Sequence, residues 1–506
     1  MRKLEERLAA LAPKTLRGMR RGIEKESLRV EAAGALALTP HPRALGSALT
    51  HPHITTDFSE AQLELITGVN PDADACVREI TEIHQVVYRA IGGEMLWCAS
   101  MPCNLPADDA IPLGRYGSSN IGRAKTVYRT GLSYRYGRRM QAISGIHYNF
   151  SLPGVRDEGY FALIRNFRRH SWLLLYLFGA SPAVCPSFVA GRKHELQPLP
   201  GGTLHMPHGT SLRMGRLGYQ SDAQASLAVS YNGLESYGAS LQEALTRPYP
   251  AYERIGLRGA DGEYRQLAAS LLQIENEFYG TIRPKRTILP GERPLHALRS
   301  RGVEYVEVRC MDLDPFLAVG IDAGAMRFLD VFLLHCLLGD SPPDTPGEIA
   351  QLARNLQRAA NRGREPGLRL EKGKSEVPLT EWGGQLLAQC APIAARLDRE
   401  LGGSGYREAH AAALAALEDP ASTPSARVLR VMHDDFADSY TRFVLELSAK
   451  HRASLLALPL APEVEQRFAR LAAESLDEQR AIEAADEVPF ETWRERYLAL
   501  EQLLVA

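Results

Sequence analysis

The sequence predicts an α+β protein with strands in its first part and helices in its last. Between about residues 22 and 313, short stretches alternate apolar and polar residues, as strands with one buried face do. Beyond about residue 345, apolar residues recur with helical spacing. We therefore expect helices within residues 348–361, 380–401, 406–417, 422–432 and 462–485.

No linker long enough to separate two domains interrupts the chain. We predict a single domain over residues 1–506, with a strand-rich portion at 1–340 and a mainly helical portion at 341–506. The 506 residues, of which 45% are hydrophobic and 24% charged, are enough for a large buried core.

The balance of charge excludes two classes of partner. Lys and Arg number 59 against 60 Asp and Glu, so no net field attracts nucleic acid or an anionic membrane. The first 26 residues lack the apolar core of a signal peptide. The longest apolar run, residues 172–178, is far shorter than the roughly 20 residues of a membrane helix. We expect a cytoplasmic protein.

The cysteines predict free thiols rather than a disulfide scaffold. They show no Cys-x-x-Cys pair and no His-Cys metal spacing, which suits a reducing compartment. The seven are Cys76, Cys98, Cys103, Cys185, Cys310, Cys336 and Cys390.

Four segments place acidic, His or Arg side chains on one face of a predicted strand. In RGIEKESLR (21–29), Glu24 and Glu26 point the same way, roughly 7 Å apart along the strand. In the segment 54–67, Asp57, Glu60 and Glu64 interrupt an apolar stretch.

The other two segments add a histidine and a cation. In SGIHYNFSL (144–152), His147 shares a face with Asn149, opposite an apolar face. In EYVEVRC (304–310), Glu307 and Arg309 share a face. Taken singly, each segment is also explained by a solvated strand face, a structural histidine or a simple salt bridge.

Recurrence on four strands favours a shared polar cavity. Clustered acids repel one another and acquire raised pKa values unless cations neutralise them, so the pattern predicts bound metal. Oxygen ligands with one imidazole suit Mg²⁺, with Mn²⁺ as the alternative, far better than zinc. Because substrate phosphates commonly complete a Mg²⁺ site, we expect a nucleotide as a partner.

The phosphate-binding residues are less clearly defined. Arg283, Lys285 and Arg286 could hold a triphosphate, and a solvated basic turn is an equal alternative. Arg309 suits the transferred phosphoryl group, because a guanidinium matches phosphate oxygens in a two-pronged way. The segment 367–375 superficially resembles a P-loop, but its glycine spacing is wrong and no strand–turn–helix context surrounds it.

Long stretches of the chain resemble the proteobacterial glutamate–cysteine ligases, also called γ-glutamylcysteine synthetases. The resemblance covers nearly the whole chain, more loosely in its last third. It is carried by RGIEKESLR (21–29), LGSALTH (45–51), ITTDFSE (54–60), SGIHYNFSLP (144–153), YLFGASP (176–182) and QIENEFY (273–279).

This resemblance implies a glutamine-synthetase-like fold, in which a curved antiparallel sheet forms a funnel surrounded by helices. It implies catalytic roles for Arg309 and Glu307, and metal ligands at Glu24, Glu26, Asp57, Glu64, His147 and Glu307. It also implies a cysteine pocket formed by Phe58, Tyr128, Leu132, Gln141, Arg213, Tyr219 and Tyr279.

The resemblance further implies the reaction. ATP would activate the γ-carboxyl of glutamate as a γ-glutamyl phosphate, and the amine of cysteine would displace phosphate, in the first step of glutathione biosynthesis. Glutathione is then expected as a feedback inhibitor. Two alternatives stay open: another ATP-dependent glutamate ligase of the same fold that uses ammonia or a different amine, and a non-catalytic protein that binds metal or nucleotide.

Overall fold

The computed structural model describes residues 2–218, 222–225 and 227–504. Within these residues, an antiparallel seven-stranded sheet forms the centre of the strand-rich portion. Its strands are β1 (Arg20–Val30), β2 (Ile54–Thr56), β3 (Gln62–Ile66), β4 (Met95–Leu96), β5 (Ile146–Ser151), β9 (Ile282–Lys285) and β10 (Tyr305–Met311). Five further strands lie outside it: β6 (Ala183–Val184), β7 (Gln197–Pro198), β8 (Leu204–His205), β11 (Arg369–Lys372) and β12 (Ser375–Pro378).

The strand order of the main sheet is β2-β3-β1-β5-β10-β9, and β4 pairs with the end of β1. Strands β1 and β5, which carry two of the predicted acids and the histidine, are therefore neighbours at its centre. Strand β10, which carries Glu307 and Arg309, lies directly beyond β5. The topology thus brings together strands that are up to about 290 residues apart in the chain. Such long-range pairing is possible in a sheet, but the local sequence does not reveal it.

Helices surround this sheet. Those of the first 340 residues are α1 (Arg2–Ala10), α2 (Pro13–Arg17), α3 (Ala73–Ala90), α4 (Asn120–Tyr136), α5 (Arg138–Gln141), α6 (Asp157–His170), α7 (Trp172–Phe178), α8 (Pro186–Val189), α9 (Asp222–Ala225), α10 (Leu234–Thr246), α11 (Pro250–Glu253), α12 (Pro294–Arg301) and α13 (Ala323–Leu338). The later ones are α14 (Pro346–Arg362), α15 (Leu379–Leu401), α16 (Gly405–Glu418), α17 (Pro424–Phe436), α18 (Tyr440–Ala457), α19 (Pro462–Ala484) and α20 (Phe490–Leu498).

The five helices predicted beyond residue 345 are confirmed, with ends that differ by a few residues. Local chemistry explains where they begin: Thr345 caps α14 by accepting a hydrogen bond from the backbone of Glu348, and Pro346 occupies its first turn. Strands β11 and β12 interrupt this helical portion as a hairpin. The hairpin includes most of the segment that superficially resembles a P-loop, and Gly373 turns it with a φ of 63°, so the rejection of a P-loop is confirmed.

One large core joins both portions of the chain. Its buried side chains include Ile23 and Tyr148 from the apolar face of the sheet, Phe332 from α13, and Leu387 and Leu417 from α15 and α16. The division of the chain at residue 340 stays a prediction. No helix among the described residues has the length and apolar character needed to cross a bilayer.

The prediction that all the cysteines are free is wrong for one pair. Cys103 and Cys185 form a disulfide, with Cα atoms 5.3 Å apart, whereas the other five are buried free thiols. The two partners are 82 residues apart in sequence. Only the packing of their two segments brings them within bonding distance, which a spacing rule cannot detect.

Candidate active site

The register of the sheet places the predicted acids and the histidine directly opposite one another. Glu26 on β1 pairs with Glu64 on β3, and Glu24 on β1 pairs with His147 on β5. Directly opposed residues on neighbouring strands point to the same face and lie within side-chain contact. The shared polar face expected from alternation therefore exists, and its opposite face belongs to the apolar core.

The segment 54–67 forms a tight hairpin rather than one continuous strand. Strands β2 and β3 pair antiparallel, and the turn between them is closed by a hydrogen bond from the Asp57 backbone to the Gln62 carbonyl. This fold-back brings Asp57 near Glu64. Glu60 does not join them, because its two carboxylate oxygens accept hydrogen bonds from the backbone of His41 and Arg115.

Two overlapping trios of potential ligands result. One ligand atom from each of Glu24, Glu64 and His147 lies within 4.8 Å of the other two, and the same holds for Glu26, Asp57 and Glu64. We call these five residues, Glu24, Glu26, Asp57, Glu64 and His147, the carboxylate cage. Glu64 belongs to both trios, so the cage has the form expected of two adjacent cation sites with a shared ligand.

The electrostatics of the cage fit a divalent cation. Burial and the neighbouring Asp57 raise the pKa of Glu26 to about 8, and burial with Asp57 and Glu24 raises the pKa of Glu64 well above its ordinary value. These carboxylates lack sufficient positive charge from the chain itself. Hard oxygen donors of this kind are the ligands that Mg²⁺ and Mn²⁺ prefer.

The histidine is also oriented as a ligand. His147 Nδ1 lies 3.2 Å from Glu24 Oε2, whereas its buried Nε2 has no hydrogen-bond partner among the described residues. Burial and the charge of Arg309 lower the pKa of His147. A neutral ring that donates from Nδ1 to Glu24 presents the lone pair of Nε2 to a metal.

Glu307 lies beside the cage in a different electrostatic setting. Burial alone would raise its pKa, but Lys285 and Arg309 lower it well below the ordinary range. Lys285 Nζ lies 3.2 Å from Glu307 Oε1, and Arg309 Nη1 lies 3.0 Å from Oε2. Glu307 Oε1 is 3.8 Å from His147 Nδ1, so this carboxylate connects the cage to the two cations.

Two of the three predicted triphosphate-binding residues share the polar face. Arg283 pairs with Glu307 across β9 and β10, and Lys285 pairs with Tyr305. Arg283 also donates to the Asn276 carbonyl at 2.9 Å. Arg286 lies beyond the end of β9 and donates to the Arg301 carbonyl, so the structure does not bring it to the cage.

Arg309 lies at a bulge in β10, and Arg213 contacts its backbone. The pairing of β10 with β5 shifts register between Val308 and Met311, and bulges of this kind redirect side chains next to active sites. The Arg309 carbonyl accepts a hydrogen bond of 2.8 Å from Arg213 Nη2. Arg213 is 1% exposed, so it is a buried arginine and not part of the protein surface.

The predicted cysteine pocket is brought together in part. Gln141 Nε2 donates to the Tyr279 hydroxyl at 2.7 Å. Tyr128 and Leu132 are one turn apart on α4, and Phe58 directly follows Asp57 in the hairpin. Tyr219 lies outside the described residues.

Three contributors to the site were missed at the level of sequence. The Gly145 backbone donates to Glu26 Oε2 at 2.7 Å, and Asn149 Nδ2 donates to Glu24 Oε1 at 2.8 Å. Gly145 also lacks a side chain because Arg213 passes where a Cβ would lie. Lys125 on α4 is half-buried near Glu64, and desolvation lowers its pKa to about 8. Alternation along the strand had placed Asn149 on the face of His147, but it assigned Asn149 no role in the site.

Known proteins match both the sequence and the structure. A family model described as glutamate-cysteine ligase matches residues 6–359. The glutamate–cysteine ligase of Azotobacter vinelandii is 51% identical over 505 residues, covering 96% of this chain and 95% of that protein. That of Pseudomonas aeruginosa is 49% identical over 500 residues, covering 94% of each.

Two solved structures match the fold of this chain. The glutamate–cysteine ligase of Francisella tularensis, in complex with AMP, superposes with a TM-score of 0.90 at 36% identity, covering 95% of this chain and 97% of that one. A bifunctional glutathione synthetase from Pasteurella multocida superposes with a TM-score of 0.71 at 26% identity, covering 93% of this chain and 58% of that one.

The fold and the matches together define the protein as a ligase. It belongs to the glutamate–cysteine ligase family, whose members make γ-glutamylcysteine for glutathione biosynthesis. The resemblance stated from its motifs is confirmed, as is the glutamine-synthetase-like α+β fold with an antiparallel sheet surrounded by helices.

Proposed function

We propose that the protein joins the γ-carboxyl of glutamate to the amine of cysteine through a γ-glutamyl phosphate, with ATP as phosphoryl donor. The observation that carries this proposal is the carboxylate cage beside the cationic group of Arg309 and Lys285. Such an arrangement suits phosphoryl transfer, in which positioning and neutralisation of charge supply most of the catalysis.

Mg²⁺, with Mn²⁺ as the alternative, is the cation that we propose for the cage. Glu24, Glu26, Asp57, Glu64, His147 and Glu307 would hold it. When bound, it neutralises charge on the phosphate oxygens between the attacking and leaving groups. Lys285 and Arg309 already neutralise Glu307 in the absence of metal, which makes Glu307 the ligand whose assignment most needs a test.

In the first step, an oxygen of the glutamate γ-carboxylate attacks the terminal phosphorus of ATP. The bond from that phosphorus to the bridging oxygen breaks, and ADP leaves. Arg309, at the bulge of β10, would bind the transferred phosphoryl group, and Arg283 and Lys285 would bind the remaining phosphates. Arg286 makes no contact with this group, so its role is the least supported of the three.

In the second step, the amine of cysteine attacks the carbonyl carbon of the acyl phosphate. The developing negative oxygen lies where a cation is needed, and Arg309 is the group of the chain that we expect to stabilise it. Phosphate then leaves and the amine gives up a proton. No nucleophile of the chain takes part.

We propose that Arg213 binds the carboxylate of cysteine, in a pocket formed with Phe58, Tyr128, Leu132, Gln141, Tyr219 and Tyr279. The hydrogen bond of Arg213 to the Arg309 carbonyl supports this, because a cysteine subsite at Arg213 would lie close to the phosphoryl group that we propose at Arg309. We also propose a cytoplasmic location, since five of the cysteines are free thiols.

The test of the intermediate is transfer of isotope. Glutamate labelled with ¹⁸O in its γ-carboxyl should give released phosphate that carries one labelled oxygen for each turnover. Unlabelled phosphate would contradict the acyl phosphate. ADP release measured with glutamate alone, cysteine alone, both together, and glutamate with ammonia separates this ligase from one that uses another amine.

A further inference from the structure

A second group of potential metal ligands lies away from the carboxylate cage, where three helices meet. One ligand atom from each of His170, His335 and Cys336 lies within 4.8 Å of the other two. His170 is the last residue of α6, and the other two lie near the end of α13. The group has no residue in common with the proposed ligase site.

The unsatisfied polar atoms of this group point to a ligand. The Nδ1 atoms of His170 and His335 are buried, and neither has a hydrogen-bond partner in the part of the chain that the structure describes. The two rings are tilted by 49° to each other, with centroids 5.6 Å apart. Buried polar atoms without partners are rare in proteins and indicate a bound water or ion.

The other ring nitrogen of His335, Nε2, makes the kind of hydrogen bond that orients metal-binding histidines. His335 Nε2 lies 2.9 Å from the Oε1 atom of Gln389 on α15. A proton on Nε2 that is donated to Gln389 leaves the lone pair on Nδ1, and outer hydrogen bonds of this kind fix the ring of a metal ligand. Burial lowers the pKa of both His335 and His170.

The sulfur completes a donor set of a different class from that of the cage. Cys336 is fully buried with a free thiol, and Cys390 on α15 lies close enough to raise its pKa further. Two imidazoles with a thiolate suit a borderline or soft cation in tetrahedral geometry, whereas Mg²⁺ prefers oxygen. The thiolate also offsets part of the metal charge near Arg169 and Lys372, which interact with His170.

We propose that His170, His335 and Cys336 form a zinc site, with Gln389 as a positioning residue behind His335. A bound zinc would join α6 to α13, and Gln389 and Cys390 extend the site to α15. The fourth coordination position would be taken by Cys390 or by water. Water can reach the site because His170 is only partly buried.

Cobalt is a spectroscopic probe for such a site. The full-length protein should be titrated with Co²⁺ in a large excess of Mg²⁺, which occupies the oxygen ligands of the cage. We expect the charge-transfer band of a cobalt thiolate together with the visible bands of tetrahedral cobalt, both removed by one equivalent of Zn²⁺. Absence of the thiolate band in the wild-type protein would overturn the proposal and leave a buried water as the occupant.

Variants separate this site from the cage and from other thiols. Cys336→Ser should lose the thiolate band, whereas Cys76→Ser, which alters another buried free cysteine, and Glu64→Gln, in the cage, should keep it. His170→Gln guards against misfolding, because His170 is partly exposed at a helix end, and it should weaken zinc binding by more than about tenfold. A band that persists in Cys336→Ser, or equal zinc content in the wild type and His170→Gln, would overturn the proposal.

The positioning residue has its own readout. Gln389→Leu removes the acceptor behind His335 and keeps all three ligands. Zinc affinity should therefore fall by about 10- to 100-fold. The cobalt thiolate band should still be present when Co²⁺ saturates the site. Unchanged zinc affinity would show that the contact of His335 with Gln389 does not orient a metal ligand.

Discussion

The two faces of the central sheet differ in how far the chain itself neutralises the buried carboxylates. On the apolar face, Asp330 is fully buried and pairs with Arg21 at 2.8 Å, and it also accepts hydrogen bonds from the hydroxyls of Tyr148 and Tyr406. On the polar face, five cage residues crowd together and burial raises the pKa of Glu26 to about 8.

The difference distinguishes a structural acid from functional ones. A buried carboxylate that is paired and hydrogen-bonded contributes to the fold, and its loss leaves an uncompensated partner. Carboxylates that are close together without enough counter-charge require a cation from outside the chain. Strand β1 contributes to both settings, since Arg21 and Glu24 point to its opposite faces.

The largest expected effect is that of Glu307→Gln. The substitution keeps the volume and removes the charge between the cage and Arg309, so turnover should fall by at least about a hundredfold, as expected when several kcal/mol of charge stabilisation are lost. The substitution should leave the fold intact. The exposed Glu304, three residues earlier, provides the control variant Glu304→Gln, which should retain activity. Near-normal turnover of Glu307→Gln at saturating Mg²⁺ would contradict its role.

The opposite face should show the reverse pattern. Asp330→Asn leaves Arg21 buried without its counter-ion, so the free energy of unfolding should fall by about 3–5 kcal/mol. The turnover of the folded fraction should remain close to that of the wild type. As control, Asp340→Asn removes a surface ion-pair partner and should cost less than about 1 kcal/mol. Equal losses of stability in the two variants, measured by denaturant unfolding, would contradict the structural assignment of Asp330.

An intermediate effect is expected at Arg213, whose hydrogen bond to the Arg309 carbonyl joins the proposed cysteine pocket to the proposed phosphoryl-binding residue. Arg213→Lys keeps the charge and loses the two-pronged geometry, which should cost roughly 1.5–3 kcal/mol. The KM for cysteine should therefore rise about ten- to a hundredfold, with little change for ATP. Arg216→Lys, at an exposed position nearby, is the matched control. Equal losses for all three substrates would indicate a global effect instead.

The smallest effect concerns glutathione, the end product of the biosynthetic route to which the proposed reaction belongs. Glutathione carries the γ-glutamyl group of the substrate, so it should raise the apparent KM for glutamate while leaving the maximal rate unchanged. The isomer with an α-glutamyl linkage should inhibit less. Steady-state rates over a wide range of glutamate concentrations test this, and inhibition that glutamate does not relieve would exclude competition at its subsite.

Much of this site was predictable because a strand alternates its faces. Glu24, Glu26, His147 and Glu307 were identified from period-two patterns, and the register of β1, β3, β5 and β10 brings them together. The helices beyond residue 345 were predictable for the similar reason that their apolar spacing is regular.

The rest depended on tertiary structure. The hairpin that brings Asp57 to Glu64, the bulge at Arg309, and the passage of Arg213 over Gly145 are set by chain reversal and close packing. None leaves a periodic signal in the sequence. The disulfide between Cys103 and Cys185, and the group of His170 with Cys336, likewise arise from contacts between distant segments.

The central claim, that the crowded carboxylates hold divalent cations, is tested most directly by binding of Mn²⁺ followed by electron paramagnetic resonance. In the wild-type protein, free Mn²⁺ signal should be lost on titration, and Mg²⁺ should restore it. Glu64→Gln, which alters the residue common to both trios, should bind far less Mn²⁺, whereas Asp330→Asn should bind as the wild type does. Equal binding by Glu64→Gln and the wild-type protein would contradict the claim.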